Sequence, residues 1–225
     1  MRFSRVLARV TIPAAIIVSF LVCNSAIAED WVQWDETKNG NGHWYRVLRA
    51  PDPGIAWEDA KRQAEQMGGY LATITSANEN AFVFSLVDDS KYWRSTKHLG
   101  PRVRPCNMGP WLGGYRGDNG RGVGWRWITD EPFDFKAWAN RQPDNNPTYG
   151  QQDKITFFAW GYTSREPKWD DNGGNDPETY PVAFVVEADT LGSDSFPWIW
   201  IILGASVLVI LVIVLVLLLR NRDEQ

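Results

Sequence analysis

The chain has 225 residues, 23 of them basic and 27 acidic, with only two His and two Cys and with thirteen Trp. Set apart from its ends, the stretch 29–196 holds 18 basic and 25 acidic residues, a net charge of −7, which opposes nucleic-acid binding because that needs a basic face. His43, His98 and Cys106 supply no zinc-ligand spacing, and Cys106 has no partner within 29–196, so the fold must rest on its core rather than on disulfides.

In chain order, residues 1–28 read as a secretion signal. Arg2, Arg5 and Arg9 precede the apolar run "VTIPAAIIVSFLV", and "AIA" at 26–28 supplies the small residues of a cleavage site. After a linker at 29–38, "HWYRVL" reads as a strand ended by the "APDPG" turn. Ala56, Trp57, Ala60, Ala64 and Met67 then recur at helical spacing, and the glycines at 68 and 69 stop that helix. "YLATI" is extended. Ser76 with Glu79 three residues on forms a capping box that opens a second helix, ending near Asp88.

Residues 88–110 read as an inserted, solvated loop, with Pro101, Pro105 and Pro110 scattered among five basic residues. "PWLGGY" and "GWRWI" read as strands around "RGDNGRG", whose Gly, Asp and Asn suit a hairpin turn without invoking an adhesion motif. "DKITFFAW" and "PVAFVVE" are the last strand-length runs of this region. The pattern predicts an α+β domain with two helices segregated from antiparallel strands. At the far end, residues 197–219 carry no charge. At about 1.5 Å per residue they span a bilayer core of about 30 Å as one transmembrane helix. Arg220 and Arg222 follow, which places the tail 220–225 in the cytoplasm and the domain outside.

Two polar segments, both read as loops, carry oxygen donors. "NRQPDNNPTYGQQD" offers Gln142, Asp144, Gln152 and Asp153, and "KWDD" offers Asp170 and Asp171. Ca²⁺ takes about six to eight such oxygens. The same residue types also build turns that bind nothing. A glycosidase would use paired carboxylates such as Asp144 and Asp170, but no further acid/base signature accompanies them and no enzyme is expected.

Taken in order, "HWY", "AWEDAKRQAEQMGGYLATITSANENAFV", "WLGG", "GWRWITDEPFDFKAW", "RQPDN", "KWDD" and "YPVAFVVE" resemble the C-type lectin-like domain family over residues 39–188, with a linker at 189–196 behind it. The resemblance implies a C-type lectin-like fold: two helices and antiparallel sheets with a long ligand-binding loop. It also implies a Ca²⁺ site formed by Gln142, Asp144, Gln152, Asp170 and Asp171. Sugar hydroxyls would meet the ion and Gln142, Asp144, Gln152 and Asp170, while Tyr149, Trp160 or Tyr162 packs on the sugar ring. The Gln-Pro-Asp order at 142–144 is similar to that of galactose-type members. Trp111, Trp127, Trp138 and Trp169 match core positions. The chain departs from the family pattern in lacking its disulfides, with Lys154 where a Cys is usual, Gln152 in place of Glu and Asp170 in place of Asn. The expectation is a membrane-anchored, outward-facing, calcium-dependent lectin for glycans, with calcium-independent recognition of a surface protein or other ligand as the alternative.

Overall fold

The computed structural model describes residues 31–100, 103–117, 124–146, 150–173 and 177–191. The expected signal segment, transmembrane helix and tail lie outside these residues. Among the described residues no helix is long and apolar enough to cross a membrane. The chain divides into units 1–32 and 33–225, and everything below concerns the second.

Strand β1 (Trp44–Arg49) leads through the Pro-rich turn to helix α1 (Trp57–Gln66), whose Trp57, Ala60 and Ala64 are buried as their spacing predicts. Tyr70–Leu71 forms a short strand, β2, before helix α2 (Ala77–Val87). The remaining strands are β3 (Arg94–Ser95), β4 (Cys106–Arg116), β5 (Trp125–Trp127), β6 (Gln152–Trp160), β7 (Trp169–Gly173) and β8 (Ala183–Ala188). The main sheet runs β1–β8–β4–β6–β7, with β2 on β8 and with β3 and β5 on β4. All these pairings are antiparallel except β4 with β8, which meet in parallel at Trp111 and Phe184. Two helices with a mostly antiparallel sheet match the expected α+β class.

Trp111, Trp127 and Trp169 are at most 1% exposed, and Trp138 packs half-buried against the same cluster. Indole N–H groups find acceptors in this core, while that of Trp127 has none among the described residues. Trp57 donates to the Leu112 carbonyl at 2.8 Å, Trp111 to the Ile55 carbonyl at 2.7 Å, and Trp169 to Asn80 Oδ1 at 2.9 Å. The three bonds tie α1, α2 and the sheet together. The "WLGG" glycines are explained by close approach, since a Cβ on Gly113 would stand 2.3 Å from the Leu71 carbonyl oxygen.

Three local expectations change. The capping box is only half made. Ser76 Oγ accepts from the Glu79 N–H at 3.1 Å, but Glu79 turns inward to accept from the Thr75 N–H (2.7 Å) and the Tyr45 hydroxyl (2.7 Å). The Tyr45 hydroxyl oxygen also lies 3.1 Å from Glu187 Oε1, within reach of the same proton, and His43 Nδ1 lies 2.7 Å from that Glu187 oxygen. Burial raises the Glu187 carboxyl, and the bond to Glu187 raises the His43 imidazole. Secondly, "KWDD" is strand rather than loop: Trp169–Gly173 pairs along β6, with Asp170 opposite Thr156 and Asp171 opposite Ile155.

The third change concerns 88–110, which is not a solvated loop over its described part. Trp93 is 7% exposed and Thr96 3%. Arg94 reaches across to the carbonyls of Pro177 (3.2 Å) and Tyr180 (3.3 Å) and to Glu178 (2.9 Å). Strand β4 begins inside this segment, at Cys106.

Candidate functional site

The loop before β6 and the strand β7 meet at one place because Asp171 fastens them. Its carboxylate is wholly buried. Oδ1 accepts from the Asp144 N–H at 2.8 Å and Oδ2 from the Asn145 N–H at 2.7 Å. Successive strand residues point to opposite faces, so Asp170, next along β7, is aimed the other way. Asp170 lines a pocket of about 170 Å³ together with Gln142, Asp144 and Gln152. Much of the remaining wall comes from the segment read as an insertion, including Thr96, Leu99, Val103 and Arg104, and the rest includes Phe158, Trp160, Asn172 and Thr179.

Two oxygens in this pocket stand out. Gln142 Oε1, preceding the cis Gln142–Pro143 bond, and Asp170 Oδ1 are both shut off from solvent and accept no hydrogen bond among the described residues. Buried acceptors without a donor are rare and costly. Burial, and then the charges of Asp171 and Asp144, push the Asp170 carboxyl well above the ordinary carboxylate range. The fold therefore favours a proton or a cation at that position. Asp171 is also raised by burial, a rise that the two loop N–H groups counter.

Gln152 is differently employed. Its Oε1 accepts from the Asn146 N–H at 2.6 Å, and its Nε2 donates to the Asp171 carbonyl at 2.9 Å. Both ends of the amide thus hold the loop to β7. Asn145 Oδ1 completes the clamp by accepting from the Gln152 N–H at 3.2 Å. Among the described residues no three His, Cys, Asp or Glu side chains form a metal-binding group. A cation here would need a mixed donor set of carboxylate and amide oxygens. Gln142, Asp144 and Asp170 fit that set in donor type, since hard cations accept both kinds.

No family model matches the chain. Over 97 residues, 43% of this chain and 52% of the other, it is 33% identical to a perlucin-like protein of Mytilus galloprovincialis. It is 25% identical over 148 residues to Lectin BRA-3 of Megabalanus rosa, covering 65% of this chain and 70% of that one. The chain is similar to lectin sequences. It spans about half the length of the perlucin-like protein and 17% of C-type lectin domain family 4 member F of Mus musculus, to which it is 26% identical over 123 residues. Two of these relatives, Lectin BRA-3 and C-type lectin domain family 4 member F, are named as lectins. Among solved structures, the cow C-type carbohydrate-recognition domain of CD23, determined in the presence of a GlcNAc2Man3 oligosaccharide, is similar with a TM-score of 0.49 at 17% identity, over 73% of this chain and 96% of that one.

In this domain the residues expected to bind a metal or sugar divide into groups. Gln142, Asp144, Gln152 and Asp170 come together on one pocket with Trp160, while Asp171 sits beneath the loop. Tyr162 is half-buried on the turn after β6 and is not part of the pocket lining, and Tyr149 lies outside the described residues. Trp160 is half-buried, and one of its faces carries the Arg104 guanidinium, 3.9 Å from the ring centroid. Arg104, Thr96 and the apolar wall were missed in the sequence. The signal available was the cluster of basic residues between prolines, which has no periodicity that would tie it to the loop.

Proposed function

We propose that the domain binds carbohydrate in this pocket with the help of a Ca²⁺ ion held by Gln142, Asp144 and Asp170. The observation that carries this reading is the pair of buried oxygens, Gln142 Oε1 and Asp170 Oδ1, that have no hydrogen-bond partner among the described residues and belong to two residues lining one pocket with Asp144. Bound Ca²⁺ would supply coordination positions for two neighbouring sugar hydroxyls. The chain's own part is to accept the protons of those hydroxyls on the Asp144 and Asp170 carboxylates and to donate from the Gln142 amide. Asp171 and Gln152 act as the clamp that presents the loop. The lectin names of the sequence relatives support this reading, and the Gln-Pro-Asp order supports a galactose preference. We place the domain outside the cell, behind a signal peptide and ahead of a membrane anchor, on the strength of the sequence pattern at 1–28 and 197–219.

A second reading, calcium-independent recognition of a protein or other ligand, is favoured by one observation: Gln152 and the Asp171 carboxylate are already satisfied within the protein. Thermal unfolding of the full-length chain separates the two. A site with a Kd about tenfold below the added Ca²⁺ stabilises by about 1.4 kcal/mol. For a domain of this size that raises the midpoint by about 3–5 °C. Chelator should reverse the rise and release the chain from a galactose matrix. A midpoint that ignores millimolar Ca²⁺ would sink the calcium-dependent reading in favour of the second.

A further inference from the structure

Arg104 stands just ahead of β4, exposed, on the rim of the pocket that the carbohydrate reading uses. Among the described residues it is the only basic one of the lining, which otherwise combines the Asp144 and Asp170 carboxylates with neutral polar and apolar side chains. Its position is held from two sides. The Arg104 carbonyl accepts from Thr96 Oγ1 at 3.2 Å, and the guanidinium lies 3.9 Å from the Trp160 ring centroid. Trp160 is itself fixed, with Phe158 at 4.8 Å edge-to-face and Nε1 donating to the Asn140 carbonyl at 3.3 Å.

Stacking uses the flat face of a guanidinium and leaves its N–H edge free to donate. Among the described residues that edge makes no hydrogen bond and no ion pair. The pocket thus combines carboxylate acceptors for hydroxyl protons with a guanidinium whose donors are not engaged among the described residues. Its volume of about 170 Å³ is below the roughly 300–1,000 Å³ of pockets for drug-sized ligands, which suits a single terminal ring.

Resting on the carbohydrate reading of the pocket, we infer that Arg104 makes it selective for a terminal sugar carrying an anionic substituent, a carboxylate or a sulfate ester. A planar fork of donors matches such a group in bidentate fashion. A neutral sugar leaves the fork to water. The domain's net negative charge gives no general attraction for acidic sugars, so any preference has to come from this local pairing.

The test is calorimetry on the full-length chain in Ca²⁺-containing buffer with matched sugars: galactose, galacturonic acid and galactose 6-sulfate, and mannose with mannuronic acid. At least one acidic sugar should bind about tenfold or more tightly than its neutral partner, with the carboxylate and sulfate arms identifying the group. Arg104→Gln should abolish that difference while leaving the neutral sugar within about twofold, and Arg104→Lys should keep part of it. Circular dichroism checks that the variants are folded. Equal affinity for neutral and acidic sugars, or a preference that survives in Arg104→Gln, overturns the inference while sparing the carbohydrate reading. Binding of none of the five sugars overturns both.

Discussion

Removing the Asp171 carboxylate should loosen the ligand loop before it does anything else. Asp171 is 0% exposed, and each of its oxygens accepts one loop N–H, from Asp144 at 2.8 Å and from Asn145 at 2.7 Å. Hydrogen bonds to a charged group contribute about 1.5–3 kcal/mol each, so the pair bounds the loss at about 3–6 kcal/mol. Asp144 and Asn145 are exposed, and their freed N–H groups can turn to water, which brings the expected cost of Asp171→Ala down to about 3 kcal/mol. Against a total stability of about 5–15 kcal/mol this is a large share. With a urea dependence of about 2 kcal/mol per molar, the unfolding midpoint should fall by about 1.5 M. Asp171→Asn keeps one acceptor but sets an amide N–H₂ against the other loop N–H, and should fall between the wild type and Asp171→Ala. It should also bring the Asp170 carboxyl down, because the Asp171 charge is one of the causes of its rise. Urea unfolding without Ca²⁺, with carboxyl titration by NMR, measures both. A midpoint within about 0.2 M of wild type for Asp171→Ala would refute the anchoring role.

Two further outcomes are expected. His43 has its pKa raised above 6.5, chiefly by its bond to Glu187, so its contribution is complete below pH 6.5 and lost as pH rises through the raised value. Asp170, raised from the acid side, acts in the same direction. Comparing unfolding free energies of wild type and His43→Gln from pH 6 to 9 isolates the His43 share, and an unchanged slope would count against it. Gly113→Ala would place a methyl 2.3 Å from the Leu71 carbonyl oxygen, a backbone atom that cannot move alone. Overpacking of this kind costs about 1–3 kcal/mol, to be read as a drop in thermal midpoint.

The helices were legible because their signals are local. Trp57, Ala60 and Ala64 share a face by spacing alone, and Ser76 caps by its place in the chain. What stayed hidden depends on contacts between distant residues. The composition "WDDNG" is poor in strand formers, and Trp169–Gly173 becomes a strand only because β6 lies beside it. The same fact separates Asp170 from Asp171. As loop residues they look equivalent; on a strand they face opposite ways, one into the pocket and one under the loop. Likewise, the order of 93–99 comes from Arg94 reaching carbonyls more than eighty residues later, which no window of sequence reveals. Oxygen donors were visible in the sequence, but their division into pocket lining and loop clamp was not.

The pairing of β1 with β8 has a consequence for how the chain is made. Tyr45 and Glu187 are 142 residues apart, yet they share one buried hydrogen bond, and the strand carrying Glu187 lies between β1 and β4 in the sheet. During synthesis β1 therefore waits for its neighbour until nearly all of the domain has been built, at about 5–20 residues per second. Until then the Tyr45 and Glu79 side chains lack their third member, and the centre of the sheet is a gap. Contacts of such long range are slow to form. The last strand acts as a keystone, and a nascent chain stalled short of residue 183 would hold both helices without a closed sheet to receive them.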